Sequence, residues 1–341
     1  MKTNETGKAT ETIRAILQNM SLAEKVGQLF IVRCPRTGVS ELIQNYHVGG
    51  ITLYDADFED SSPDEVKATI ASYQAQAKIP LFIAVDEEGG RVCRISNHKQ
   101  FRATPFPYPQ ELVAGGIDAI RQDATEKAAL LTSLGVTLDF APVCDLSQNP
   151  DSFIYCRTYG KGPEETGTYI RAVVEAMNRG QLLSTLKHFP GYGDNMDTHV
   201  MSSSDARDMD TFVTSELIPF IAGIEAGADM VMISHNIIEC MEPDCPASLS
   251  PAVHRLLREK LAFRGVIVTD SLDMDAVTLY TNNESAAVRA ILSGNDLLCC
   301  SSYKEQIPAV LQAVSDGTIE ESRIDASLER LLLAKAKFGQ I

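Results

Sequence analysis

Met230-Val-Met-Ile-Ser-His235, then Ser250-Pro-Ala-Val-His-Arg-Leu-Leu-Arg-Glu-Lys-Leu-Ala262, then Val266-Ile-Val-Thr-Asp270: residues 230 to 270 set two short apolar runs on either side of one amphipathic run. Neither short run alternates polar with apolar, so each reads as a strand buried on both faces. The middle run has the length and spacing of a helix, with Ser250 as its cap and Pro251 at its first position. Two doubly buried strands joined by a covering helix form a parallel β-α-β unit. Each strand ends on a titratable residue, His235 or Asp270.

The same unit recurs outward in both directions. Strand candidates are Gly27 to Val32, Gly50 to Tyr54, Leu81 to Val85, Thr137 to Pro142, Ser184 to His188, Met230 to Ser234, Val266 to Thr269 and Asp296 to Cys299. Helical patterns fall between them at Pro63 to Ala77, Ala119 to Leu134, Pro163 to Asn178, Asp210 to Ala226, Pro251 to Ala262 and Glu284 to Leu292. Ser21-Leu-Ala-Glu24 has the spacing of a capping box, and Ser322 to Phe338 places Ile324, Leu328, Leu331, Leu332 and Ala336 on one closing face. Eight units predict an α/β fold, a (β/α)8 TIM barrel, with an open doubly wound sheet as the alternative. Lacking a Gly/Ser-rich or Pro-rich linker, the chain is expected to be a single domain over 1–341, with residues 1–20 as an N-terminal helical extension.

Bulk properties narrow the chemistry. A net charge of −16 repels nucleic acid and anionic membrane surfaces, so neither is expected as a partner, and a small or neutral substrate fits better. Met1 to Thr12 is polar and resembles no signal peptide, which sets a cytoplasmic expectation. The eight cysteines show no CxxC spacing and read as small hydrophobes in a reducing compartment.

The unusual polar residues collect where the strands end. Asp86-Glu-Glu88 follows the third strand, Asp145 the fourth, Lys187-His188 closes the fifth, His235 follows the sixth and Asp270 the seventh. In a parallel barrel these are all carboxyl ends, where active sites are built. Singly, each Asp reads equally well as a helix cap and each His as a hydrogen-bonded core residue. Together they predict a site. The segment Lys187-His-Phe-Pro-Gly-Tyr-Gly-Asp-Asn-Met-Asp-Thr-His199 adds a second group, in which Asp197 orients and activates the imidazole of His199 for proton transfer. Asp270 then suits a carboxylate nucleophile toward a sugar carbon, and Arg94, Arg157 and Lys187 suit hydroxyl or acidic substituents. A competing reading makes His188, His199, His235 and Asp270 zinc ligands in a barrel hydrolase, without the HxH or HExxH pairing such sites use.

These motifs resemble glycoside hydrolase family 3, in its single-domain β-N-acetylglucosaminidase branch. The likeness rests on Lys187-His-Phe-Pro-Gly-x-Gly193 with Asp197-Thr-His199, Asp86-Glu-Glu-Gly-Gly-Arg-Val-Cys-Arg94, Arg157-Thr-Tyr-Gly160, Val268-Thr-Asp270-Ser-Leu-x-Met274, Ala247-Ser-Leu-Ser250 and Gly294-Asn-Asp296. It implies a retaining exo-β-N-acetylglucosaminidase acting on cell-wall or chitin-derived fragments, with phosphorolysis or β-glucosidase activity as alternatives within the family and a non-catalytic sugar-binding protein outside it. By the same resemblance Asp270 is the nucleophile, His199 the acid/base with Asp197 as partner, and Asp86, Arg94, Arg157, Lys187 and His188 bind the sugar. No cofactor and no metal are implied. Two departures stand out: Tyr192 occupies the position where the family usually has His, and three residues rather than four separate Gly193 from Asp197.

Overall fold

The computed structural model describes residues 2–195, 203–281, 284–339 and 341, the first helix up to residue 10 by its backbone alone. Asp197 and His199 therefore lie outside the described residues.

Eight strands form one parallel sheet: β1 (Phe30–Arg33), β2 (Gly50–Thr52), β3 (Phe82–Val85), β4 (Leu138–Asp139), β5 (Leu183–Phe189), β6 (Met230–Ile233), β7 (Val266–Thr269) and β8 (Leu298–Cys299). Their order, β7-β6-β5-β4-β3-β2-β1-β8, is sequential apart from the closing step. That step is made by Val268 beside Leu297 and by the Thr269 N–H donating to the Leu297 carbonyl at 3.1 Å, so β7 meets β8 and the sheet becomes a barrel. The open doubly wound alternative is excluded by this closure.

Each strand is fully buried over most of its length, as the unbroken apolar runs require. Phe30, Ile31, Ile51, Phe82, Ile83, Leu138, Leu186, Val231, Ile267 and Leu298 have essentially no exposure. Helices cover the outside, among them Pro63–Gln76, Gly116–Leu134, Pro163–Arg179 and a helix over 209–225 whose middle, Phe212–Glu216, is a π turn. The first helix, Lys2–Asn19, packs against the closing helix Glu321–Ala336.

Both predicted caps form. The Ser21 and Glu24 side chains exchange hydrogen bonds with each other's backbone N–H, at 3.3 and 2.8 Å, and the Ser250 hydroxyl accepts from Val253 N–H at 3.2 Å. The first strand starts three residues later than its apolar pattern predicts, because the capped helix Leu22–Gly27 carries the chain through Gly27. Beyond the carboxyl ends, Glu87–Gly89 pairs with Val92–Cys93 as a small antiparallel hairpin, and Ser204–Asp205 pairs with Ile237–Ile238. Among the described residues no helix is long and apolar enough to cross a membrane.

Candidate active site

A cavity of about 350 Å³ opens at the carboxyl ends of the strands, within the range of small-ligand pockets. Asp86, Arg94, Arg157, Lys187, His188 and Asp270 all line it. Six of the eight residues expected at the site from sequence thus share one cavity although they come from β3, β5, β7 and two intervening loops.

The cavity floor is an ion network. Lys187 Nζ lies 2.9 Å from Asp86 Oδ1 and 2.6 Å from Glu88 Oε1. Arg157 forks onto Glu88, Nε to Oε2 at 2.9 Å and Nη2 to Oε1 at 2.7 Å, the bidentate geometry that fixes both planes. Burial alone would push the Glu88 carboxyl up; the charges of Arg157 and Lys187 overcome it and hold the group well below the usual carboxylate range. Burial likewise opposes the charge on Lys187, and Asp86 with Glu88 reverses that effect and raises its pKa. These groups stay ionised, so they present fixed charge to a ligand's hydroxyls without reorganising.

His188 is held in one tautomer by its neighbours. The Arg157 guanidinium can only donate, so Nε2 of His188 accepts from it at 3.2 Å, and Nδ1–H donates to Asp145 Oδ2 at 2.7 Å. Asp145 also accepts from the backbone N–H of His188 and Tyr192, which ties the end of β5 to the end of β4. Asp145 was visible in the sequence as a strand-end carboxylate and is here the anchor for His188. The ring of Tyr192, at the position where the family usually has His, packs edge-on against His188 with centroids 5.7 Å apart.

Arg94 reaches the cavity from the hairpin side. It lies 3.7 Å from Asp86 and donates to Asp55 at 3.1 Å, and its guanidinium sits 5.2 Å from the centre of the Tyr54 ring. Asp270 leaves β7 half-buried; its backbone N–H donates to the Ile233 carbonyl at 3.0 Å, and its Oδ1 accepts from Ser271 N–H at 2.7 Å. His235, buried beside it, binds the Ser248 hydroxyl through Nδ1 and the Ser271 carbonyl through Nε2. All four ring nitrogens of His188 and His235 are therefore engaged by protein groups. The zinc reading is left without them, and among the described residues no cluster of three His, Cys, Asp or Glu is arranged to hold a metal.

Tyr54, Phe153, Phe140, Met232 and Cys299 also line the cavity and were not foreseen there, whereas Glu88 was read as part of the Asp86-Glu-Glu88 strand-end cluster without a role of its own. Tyr54 and Cys299 end or follow short apolar strands, where they read as core. Phe153 belongs to a loop with no periodic signal, and only the fold carries its ring to within 5.9 Å of Tyr192.

Paired carboxylates, a forked guanidinium and an oriented imidazole in a cavity at the mouth of a (β/α)8 barrel define a barrel enzyme for a polyhydroxylated substrate. Residues 21–334 match the glycosyl hydrolase family 3 N terminal domain, and the chain belongs to this family and is a glycosidase. It is 32% identical over 290 residues to a beta-hexosaminidase of Xanthomonas campestris pv. campestris (strain B100), an overlap covering 83% of this chain and 85% of the relative. A glycoside hydrolase family 3 beta-N-acetylglucosaminidase from Paenibacillus sp. str. FPU-7 superposes with a TM-score of 0.87 at 31% identity, over 94% of this chain and 63% of that one. The beta-N-acetylhexosaminidase from Beutenbergia cavernae DSM 12333 superposes with a TM-score of 0.84 at 27% identity, over 93% of this chain and 99% of that one.

Proposed function

We propose that the chain is a retaining exo-β-N-acetylglucosaminidase that removes terminal β-linked N-acetylglucosamine from cell-wall or chitin-derived fragments in the cytoplasm, as a single-domain enzyme without a cofactor. The observation that carries this reading is the family match over nearly the whole chain, together with Asp86, Lys187, His188 and Asp270 on the wall of one cavity. Beta-hexosaminidase relatives matched over most of their length support the sugar.

In this mechanism Asp270 attacks the anomeric carbon as His199, oriented by Asp197, gives its proton to the departing oxygen. The bond to the aglycone breaks as the bond to Asp270 forms. The imidazole, now neutral, takes a proton from water, and the resulting hydroxide displaces Asp270 with a second inversion. Asp86, Arg94, Arg157 and Lys187 hold the sugar hydroxyls throughout, and His188 binds the sugar once its Nε2 exchanges the Arg157 donor for a hydroxyl. A neutral imidazole repels an incoming anion less than a second carboxylate would, so phosphate is the alternative acceptor to compare with water.

The test uses aryl β-N-acetylglucosaminides of graded leaving ability, with the aryl glucosides as controls. Wild-type protein is expected to turn over the N-acetylglucosaminides preferentially, and a 2-fluoro sugar to label Asp270. His199→Ala is expected to lose about 100-fold or more in kcat/KM on poor leaving groups and much less on activated ones, since a good leaving group needs little protonation in the first step. Labelling at another residue, or an equal loss on every leaving group, overturns the corresponding assignment.

A further inference from the structure

The loop after β5 is gripped from below by charged residues that take no part in the sugar cavity. Arg207 places Nη1 2.7 Å from Glu216 Oε1, directs Nε to both oxygens of Asp205 at 2.9 and 3.0 Å, and donates from Nη2 to the Gly191 carbonyl at 3.0 Å. Its guanidinium lies 4.8 Å from the centre of the Phe212 ring. Asp205 accepts in turn from the Asn195 amide at 2.8 Å, and the same amide donates to the Tyr192 carbonyl. One guanidinium and its carboxylates thus hold the loop at Gly191 directly and at Asn195 through Asp205.

The two glycines of the motif are shaped by this grip. Gly191 has φ +129° and Gly193 φ +59°, conformations that favour glycine. A Cβ on Gly191 would stand 2.4 Å from Glu216 Oε2, and one on Gly193 would stand 2.6 Å from the Arg207 guanidinium carbon. Glycine is required here for space as well as for dihedral angle. Glu216 reaches this contact from the last position of the π turn in the helix over 209–225 and is only 5% exposed. A π turn shifts the register of the side chains after it and recurs where a side chain must be aimed at a functional segment.

We infer that Arg207, fixed by Asp205 and Glu216, is a positioning residue for proton transfer: it sets the path of residues 191–195 and so the point from which the chain departs toward Asp197 and His199. This rests on the acid/base reading of His199 proposed above. Among the described residues none that lines the sugar cavity pairs with Arg207; the loop it grips meets the cavity wall at Tyr192, which packs on His188 and donates to Asp145.

The experiment compares Arg207→Gln and Arg207→Lys with wild type on the graded leaving groups, alongside backbone amide exchange over 188–195 and thermal midpoints. A misplaced catalytic group costs about 100-fold, so Arg207→Gln is expected to lose about that much in kcat/KM on poor leaving groups with activated substrates nearly spared, while kcat on activated substrates, limited by the base-assisted second step that all share, falls as well. Exchange over 191–195 is expected to speed up at least tenfold, and added guanidinium ion to restore part of the rate. Arg207→Lys, which keeps the charge and stem, is the milder substitution and is expected to show the same pattern more weakly. Unchanged exchange over 191–195 in both variants, or kcat/KM losses uniform across leaving groups while His199→Ala shows the graded loss, overturns the inference. If His199→Ala itself loses rate uniformly, the acid/base reading fails, and the exchange result still decides whether Arg207 sets the loop.

Discussion

Asp86, Glu87 and Glu88 leave β3 as three consecutive carboxylates and have three different fates. Asp86 stays half-buried and faces Lys187 and Arg94 across the cavity. Glu87 turns into the wall, where it accepts the N–H groups of Arg94, Ile95 and Ser96 at 2.8, 2.8 and 3.1 Å and closes the hairpin loop. Glu88 is buried in the cavity floor between Arg157 and Lys187. Extended backbone sends alternate side chains to opposite sides, so the pattern separates Glu87 from its neighbours, and the resemblance selected Asp86. The role of Glu88 within that cluster was not legible because its partner Arg157 arrives from a loop 69 residues away. Glu88→Gln keeps the shape but removes the carboxylate with which both Arg157 and Lys187 pair, and is expected to cost about 3 kcal/mol in urea unfolding at pH 7. The folded pKa of Glu88 lies below its unfolded value, so its contribution is complete above pH of about 4.5 and is lost as pH falls further. The gap between wild type and Glu88→Gln should accordingly hold from pH 7 to about 5 and shrink as pH falls toward about 3; a gap that stays constant over that lower interval would show that Glu88 does not act through its charge.

Among the elements, the strands were legible because burial on both faces leaves unbroken apolar runs, and the helices because one face is apolar. Tyr303–Ser315 was missed, since Pro308 inside it reads as a breaker. The π turns at Phe212–Glu216 and Leu256–Lys260 leave no trace in a periodicity of 3.6 residues. Gly294-Asn-Asp296 stood out by resemblance only, and its role here is to join elements. Asp296, fully buried ahead of β8, accepts from Ile267 N–H at 3.0 Å and Ser327 at 2.7 Å, and pairs with Arg258 from the helical segment over 251–260 and with Arg330 from the closing helix at 3.0 Å. Arg323 stands 3.7 Å away, so three guanidiniums converge on one carboxylate. Burial and the neighbouring arginines push Arg258 down to about 10 even with Asp296 opposing them. Asp296→Asn removes the only negative charge these three share among the described residues, and is expected to cost about 3–5 kcal/mol by urea unfolding with the sugar cavity intact. Arg330→Met, which removes a partly exposed partner and relieves repulsion, is expected to cost less than about 1 kcal/mol. A larger loss for Arg330→Met than for Asp296→Asn would contradict this account.

Across the whole molecule, the two ends of the barrel treat buried cations differently. At the carboxyl end Lys187 sits between two carboxylates, whereas at the amino end Lys335 is buried with neutral partners: Gln28 Oε1 at 2.8 Å, the Gly49 carbonyl at 3.0 Å and the Phe82 ring centre at 4.7 Å. Sequence periodicity places position 335 on the face of Leu328 and Leu331, yet a lysine in a closing helix reads as solvated, so its burial could not be foreseen. Burial alone pushes the Lys335 amine down to about 7 from its ordinary 10.5. Between those values the unfolded chain binds the proton and the folded chain does not, so stability rises with pH across this window and the full penalty applies below pH of about 7. Integrated from pH 7 to pH 9, the gain is about 2 kcal/mol. Lys335→Met deletes the titrating group, and its stability relative to wild type should fall by that amount over the same interval, whatever the unpaired Gln28 and Gly49 acceptors cost at each pH. Urea midpoints of the two proteins at pH 7, 8 and 9 read this difference directly, and parallel curves would mean that Lys335 keeps its proton in the folded barrel.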